Sequence, residues 1–73
     1  MASQWQHKSI GGLTGFSHAH FLTWMFGEPL KHEWAEEEAT HRFIFDKNTL
    51  TDEQLNFAKS YEKRFRVILK LVA

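Results

Sequence analysis

Five histidines among 73 residues are the side chains with the widest range of possible chemistry. Histidine is a common metal ligand and a common general base near neutral pH. Grouped by spacing, the candidates are His18 with His20, His32 with Glu36, and Glu37 with His41. The chain has no cysteine and no His-Glu-x-x-His motif, so no complete set of ligands is recognisable. We therefore expect solvated pairs on a polar helix face, with no metal and no cofactor.

Acidic residues are concentrated between Glu33 and Glu38. Catalytic carboxylates need a pocket that perturbs their pKa, whereas adjacent glutamates are typical of a solvated helix face. No nucleophile elbow surrounds Ser17 or Ser60. A chain of this length also has little room for a substrate pocket of about 300 Å³ or more. The sequence therefore predicts that the protein is not an enzyme.

Four basic residues recur at helical spacing near the end of the chain: Lys59, Lys63, Arg66 and Lys70. At about 100° per residue they would lie within an arc of about 60° on one helix face. Such a basic stripe could follow phosphates, or it could dock on an acidic protein surface. The formal net charge of zero and the glutamates of residues 33–38 disfavour nucleic acid. A small nucleic-acid-binding module that uses the basic stripe therefore remains the alternative function.

The strongest structural signal is a helix over residues 52–71. Thr51 is the predicted N-cap, Gln54 completes a capping box, and Asp52 and Glu53 lie in the first turn, where the helix dipole favours negative charge. Apolar residues then follow at helical spacing: Leu55, Ala58, Tyr61, Phe65, Ile68, Leu69 and Val72. This helix would present the basic stripe to solvent.

Two shorter helices are predicted in the middle of the chain. The first has Ser17 as its N-cap, runs from His18 to Phe26 and ends at Gly27. We expect it to be buried because it is apolar on most sides. The second covers about residues 29–39. Two extended segments, residues 4–10 and 42–45, could pair as a short ribbon that packs on the helices.

These elements predict one small domain over residues 1–73 that is mainly α, with three helices of which the C-terminal one is longest. An α+β fold with a two-stranded ribbon stays open. No signal peptide is recognisable, and the longest apolar stretch is far shorter than the about 20 residues of a membrane span. We therefore expect a cytoplasmic monomer or weak homodimer without membrane association.

Aromatic residues are abundant, with seven Phe, three Trp and one Tyr. Because a domain of this size buries only about 60% of its unfolded surface, some of these rings should stay exposed and anchor a partner protein. Arginines are also enriched in interfaces. The predicted partner-binding residues are Trp5, Arg42, Lys59, Lys63, Arg66 and Lys70.

The chain also resembles a class of proteins as a whole. The features that carry the resemblance are the start Met1-Ala2-Ser3, the acidic residues 33–38 and the basic stripe of residues 59–70. In these features the chain resembles small phage-encoded host-takeover proteins. In length, neutral charge and aromatic content it is most similar to the small phage inhibitors of bacterial RNA polymerase. The resemblance implies stoichiometric inhibition of host transcription in the bacterial cytoplasm, by occupation of a polymerase surface.

Overall fold

The computed structural model describes residues 7–73, which form an α+β domain and not the mainly α, three-helix domain that we predicted. Over these residues the chain forms two α-helices and five strands. In chain order the elements are β1 (Ser9–Ile10), β2 (Leu13–Thr14), α1 (Gly15–Phe26), β3 (Lys31–Ala35), β4 (Thr40–Asp46), α2 (Asp52–Phe65) and β5 (Ile68–Val72). A 3₁₀ turn, Lys47–Thr49, joins β4 to α2.

Strands β3, β4 and β5 form one sheet with β4 at its centre. β3 is antiparallel to β4, and β5 is parallel to β4. Side chains alternate along β4, so His41, Phe43 and Phe45 are buried on one face while Arg42 and Ile44 are partly exposed on the other. The buried face of the sheet packs against the helices, as the contact between the rings of Phe26 and Phe45 shows.

The C-terminal helix ends at Phe65, so the predicted boundary at residue 71 is wrong. Arg66 adopts a left-handed conformation with φ 59°, and its N–H donates to the carbonyl oxygen of Glu62 at 2.8 Å, which closes the last turn. The following residues form β5, in which Leu69 lies beside Phe43 in the parallel register. The backbone groups on this side of β4 need hydrogen-bond partners, and β5 supplies them. Tertiary pairing therefore overrides the helical spacing of these residues.

The segment predicted as a helix over residues 29–39 instead forms β3 and a turn. β3 pairs with β4 along its whole length, which places His32 opposite Phe43. Residues 36–39 form the turn, in which Ala39 has a φ of 53°. The helical propensity of the glutamates is a weak preference that this pairing outweighs.

Local signals at the helix ends give the boundaries more accurately. Thr51 and Gln54 form the predicted capping box, in which each side chain bonds the other residue's backbone N–H. This prediction is confirmed, as is the end of α1 at Gly27, which has a φ of 86°. The N-cap of α1 is Thr14 and not Ser17, because the hydroxyl of Thr14 accepts the N–H of Ser17.

The N-terminal hairpin differs from the ribbon that we predicted between residues 4–10 and 42–45. β1 pairs with β2, whereas β4 pairs with β3 and β5. Gly11 turns the hairpin with a φ of 60°, and a Cβ atom there would lie 2.8 Å from Cδ1 of Phe65. Close packing on the end of α2 thus excludes a larger residue at this turn. The part of the predicted strand that precedes residue 7 lies outside the described residues.

The two helices run antiparallel. At one end Gln54 of α2 donates to the carbonyl oxygen of Met25 in α1 at 2.9 Å, and at the other end His18 of α1 contacts Tyr61 of α2. Between the helices and the sheet lies the apolar core, which contains Leu22, Phe26, Phe43, Phe45, Ala58, Tyr61, Val67 and Leu69. Within residues 7–73, neither helix is long and apolar enough to cross a membrane.

Candidate functional site

Three histidines from three different elements meet inside the protein; we call them the histidine cluster. They are His18 of α1, His32 of β3 and His41 of β4. The ring centroids of His18 and His41 are 6.1 Å apart, and those of His32 and His41 are 5.5 Å apart. His18 and His41 are fully buried, while the half-buried His32 stacks on Phe43. The prediction of solvated pairs is therefore wrong for these histidines, since the helix that would pair His32 with Glu36 does not form.

Hydrogen bonds determine which ring nitrogen carries the hydrogen in His18 and in His41. Nε2 of His18 lies 2.8 Å from the carbonyl oxygen of Ile10, which can only accept, so this nitrogen carries the hydrogen. In the neutral ring Nδ1 then accepts from the hydroxyl of Tyr61 at 2.6 Å. Nε2 of His41 donates in the same way to the carbonyl oxygen of Lys8 at 3.0 Å. These bonds hold the segment around β1 against the core.

Burial disfavours the charged forms of His18, His32 and Tyr61. Loss of hydration lowers the pKa of His18, and it lowers the pKa of His32 to about 4 with a further contribution from the neighbouring His41. Burial also raises the pKa of the Tyr61 hydroxyl to about 12. Among residues 7–73 there is no group of three or more side chains placed to hold a metal ion. Through the bonds of His18 and His41 to backbone carbonyls, the histidine cluster joins α1, the sheet and the N-terminal hairpin.

A groove of about 510 Å³ lies between the two helices; we call it the aromatic groove. The rings of Phe21 and Tyr61 lie nearly parallel, with centroids 5.5 Å apart, and form its floor. Phe57 of α2 borders it with 38% of its surface exposed. The remaining lining residues are Leu13, Ser17, Ser60, Arg64 and Phe65. The groove offers apolar surface together with the hydroxyl groups of Ser17 and Ser60 and one guanidinium, a set of groups suited to binding.

Trp24 extends the exposed aromatic surface of α1 beside this groove. It is 76% exposed, and its ring lies 6.1 Å from that of Phe21, which in turn lies 6.1 Å from that of Phe57. The expectation that α1 is buried all round is wrong, since the sheet covers only the side that carries Leu22 and Phe26. The exposed ring of Trp24 adjoins those of Phe21 and Phe57, and contiguous apolar patches on a protein surface mark interaction sites.

The four residues of the predicted basic stripe do not lie on one helix face. Lys59 and Lys63 share a face of α2 beside Glu62. Arg66 is the left-handed residue that ends the helix, and Lys70 is exposed on β5. The four cations are separated because the chain leaves the helix after Phe65. Their role in binding a partner stays a prediction.

Two further predicted partner-binding residues lie elsewhere. Arg42 on β4 forms ion pairs with Glu33 and with Glu38, the latter at 3.3 Å, and Lys31 also contacts Glu33 at 3.1 Å. The hydrogen bond to Glu33 raises the pKa of Arg42, so its charge is already compensated within the protein. Trp5 lies outside the described residues.

Our sequence reasoning missed the aromatic groove, although a signal for part of it exists. His18, Leu22 and Phe26 recur at i, i+4 and i+8 and form the inward stripe of α1. Trp24 follows Leu22 by two positions, which is about 200° around a helix, so it must lie on the outer side. The partner helix α2 and its Phe57 could be placed there only by the tertiary structure.

In comparisons with protein-family models, curated proteins and solved structures, no match to this chain was found. Functional inference therefore depends on the geometry and chemistry of its own residues.

Proposed function

We propose that this protein is a non-catalytic regulator that binds a partner protein through the aromatic groove and the adjacent Trp24. The observation that carries the proposal is the exposure of Trp24 and Phe57, whose ring centroids each lie 6.1 Å from that of the partly buried Phe21. Exposed tryptophan and phenylalanine rings beside a concave apolar surface supply the large contact area that anchors protein interfaces. Covering these rings in a complex would remove their apolar surface from water.

The chemistry of the groove supports binding over catalysis. Its lining consists of apolar and hydroxyl side chains with one arginine. The raised pKa of Tyr61, about 12, keeps this hydroxyl neutral at physiological pH. Its oxygen is also engaged by His18, so it is not available to a substrate as a general base.

Bacterial RNA polymerase is the partner that the sequence resemblance suggests. In this proposal the protein acts in the cytoplasm of a bacterium infected by a phage, and it regulates host transcription by occupying a surface of the polymerase. A small interface with a few aromatic anchors is enough for stoichiometric inhibition.

An affinity pull-down from bacterial lysate with and without nuclease, analysed by mass spectrometry, tests the proposal. The tagged wild type is compared with Trp24→Ala and with Phe16→Ala. Phe16 provides a matched control because it is also an exposed aromatic residue of α1, but its ring lies against that of His7, whereas the ring of Trp24 lies beside that of the groove residue Phe21. Because both rings are exposed, each substitution should change the free energy of unfolding by about 0.5 kcal/mol or less, which urea denaturation checks.

We expect polymerase subunits to be recovered in the presence of nuclease by the wild type and by Phe16→Ala, and to be lost with Trp24→Ala. Recovery of another protein complex with the same dependence on Trp24 would retain the binding surface and reject the polymerase. Recovery that disappears with nuclease would favour the nucleic-acid alternative. Equal recovery by Trp24→Ala would reject this surface.

A further inference from the structure

The shape and charge of the aromatic groove favour one kind of partner segment. We propose that it takes an amphipathic α-helix of the partner protein, with an acidic side chain of that helix facing Arg64. This inference rests on the proposed function, because it specifies the partner segment that the same surface binds.

The shape of the groove favours a third helix. It lies between two antiparallel helices, and helices pack by placing the side-chain ridges of one into the grooves of others. From Ser17 to Trp24 the exposed side of α1 extends over about 10 Å, which corresponds to about two helical turns. A docked helix would cover this length with apolar residues at i, i+3 or i+4, and i+7.

Backbone hydrogen bonding argues against an extended peptide. The floor consists of the rings of Phe21 and Tyr61, and the helices on both sides have used their backbone groups within themselves. An extended chain lying on these rings would bury most of its N–H and C=O groups against apolar surface, where only the side chains of Ser17, Ser60 and Arg64 could pair with them, and unpaired buried groups are costly. A helix satisfies its own backbone groups and presents only side chains to the groove.

The charge of the groove favours an acidic side chain on the occupant. Arg64 is the charged residue among the groove's lining residues. The ion pairs found within residues 7–73 involve Lys31, Glu33, Glu38 and Arg42, so Arg64 is not among them. Its guanidinium carbon lies 5.4 Å from the ring centroid of Phe65, which borders the same groove. A carboxylate can accept two parallel hydrogen bonds from such a guanidinium.

The test is a selection from displayed random peptides of about 16 residues, long enough to form a helix when bound. The full chain is used as wild type, as Arg64→Glu and as Lys47→Glu. Lys47→Glu changes the net charge by the same amount, but Lys47 is exposed in the turn between β4 and α2 and does not line the groove. Circular dichroism confirms that all three chains are folded.

We expect wild type and Lys47→Glu to select peptides with apolar residues at helical spacing and one Asp or Glu at a fixed position among them. Arg64→Glu should instead select Lys or Arg at that position, and it should bind the acidic peptides about tenfold more weakly. The selected peptides should gain helical circular dichroism on binding. Affinity should also fall with Trp24→Ala.

Three results would overturn the inference: no selected binder, binders with alternating apolar residues, or acidic preference that persists in Arg64→Glu. The proposed function is affected separately. Peptides that depend on Trp24 but lack the helical spacing or the acid would reject only the helix and its charge, whereas peptides indifferent to Trp24→Ala would reject the surface itself.

Discussion

Tyr61 lies between two regions. One buries polar side chains, and the other exposes aromatic rings to solvent. On its inner side is the histidine cluster, where polar rings are buried and bonded to the hydroxyl of Tyr61 and to backbone carbonyls. On its outer side is the aromatic groove, where Phe57 is exposed and beside which Trp24 is exposed. Proteins usually distribute such groups in the opposite way.

The difference shows what a buried polar group and an exposed aromatic ring each require. A buried polar atom is tolerated when a hydrogen-bond partner is built into the same fold, as the carbonyl of Ile10 is for His18. Exposed rings have no such internal solution, and where they adjoin one another, as Trp24, Phe21 and Phe57 do, the patch they form marks an interaction site. We therefore propose that the histidine cluster serves stability and the aromatic groove serves binding. The following predictions test that division, from the largest expected effect to the smallest.

Replacing His18 should have the largest effect on stability. His18→Ala removes a fully buried ring and leaves the Tyr61 hydroxyl and the Ile10 carbonyl without this partner, so we expect a loss of about 4 kcal/mol in the free energy of unfolding. His20→Ala is the matched control, because His20 is an exposed histidine of the same helix. Urea denaturation followed by circular dichroism measures both; similar midpoints for the two variants would show that the cluster does not stabilise the fold.

Acidification should destabilise the protein through the same cluster. In the unfolded chain His32 takes up a proton near its ordinary pKa of 6.5, whereas in the folded protein burial lowers this pKa to about 4. Between these values the unfolded state binds more protons, so the free energy of unfolding decreases as the pH falls. The stabilisation is fully present above pH 6.5 and is progressively lost towards pH 4.

Thermal unfolding at a series of pH values measures this dependence. His32→Phe keeps an aromatic ring beside Phe43 but removes the titrating group, so its Tm should fall less steeply over the same pH interval. A slope identical to that of the wild type would assign the acid sensitivity to other residues.

Tyr61→Phe should have a smaller effect that separates the two regions. The substitution removes the hydroxyl that donates to His18 but keeps the ring that stacks on Phe21. We expect a loss of about 1–2 kcal/mol in the free energy of unfolding, with binding at the aromatic groove unchanged. Urea denaturation and the affinity for a groove-selected peptide check the two parts, and a parallel loss of both would mean that the regions are not independent.

The accuracy of the sequence-based predictions depended on how far apart the interacting residues are. The capping box of Thr51 and Gln54 and the helix end at Gly27 involve neighbours along the chain, and the structure confirms both. Residues 42–45 were correctly predicted as extended, because β-branched and aromatic residues favour a strand. Their partners were predicted incorrectly.

The sequence by itself determined these helix ends, the central strand and an excess of aromatic residues over what so small a domain can bury. Only the tertiary structure decided that residues 31–35 and 68–72 are strands, because their backbone groups pair with β4 across long distances in sequence. The same pairing ended α2 at Phe65 and separated Lys70 from the helix. It also brought α1 and α2 side by side, and this placed Phe21 and Phe57 in one groove. Residues far apart in the chain can form such a site only after the backbone hydrogen bonds and the apolar core have fixed their neighbours.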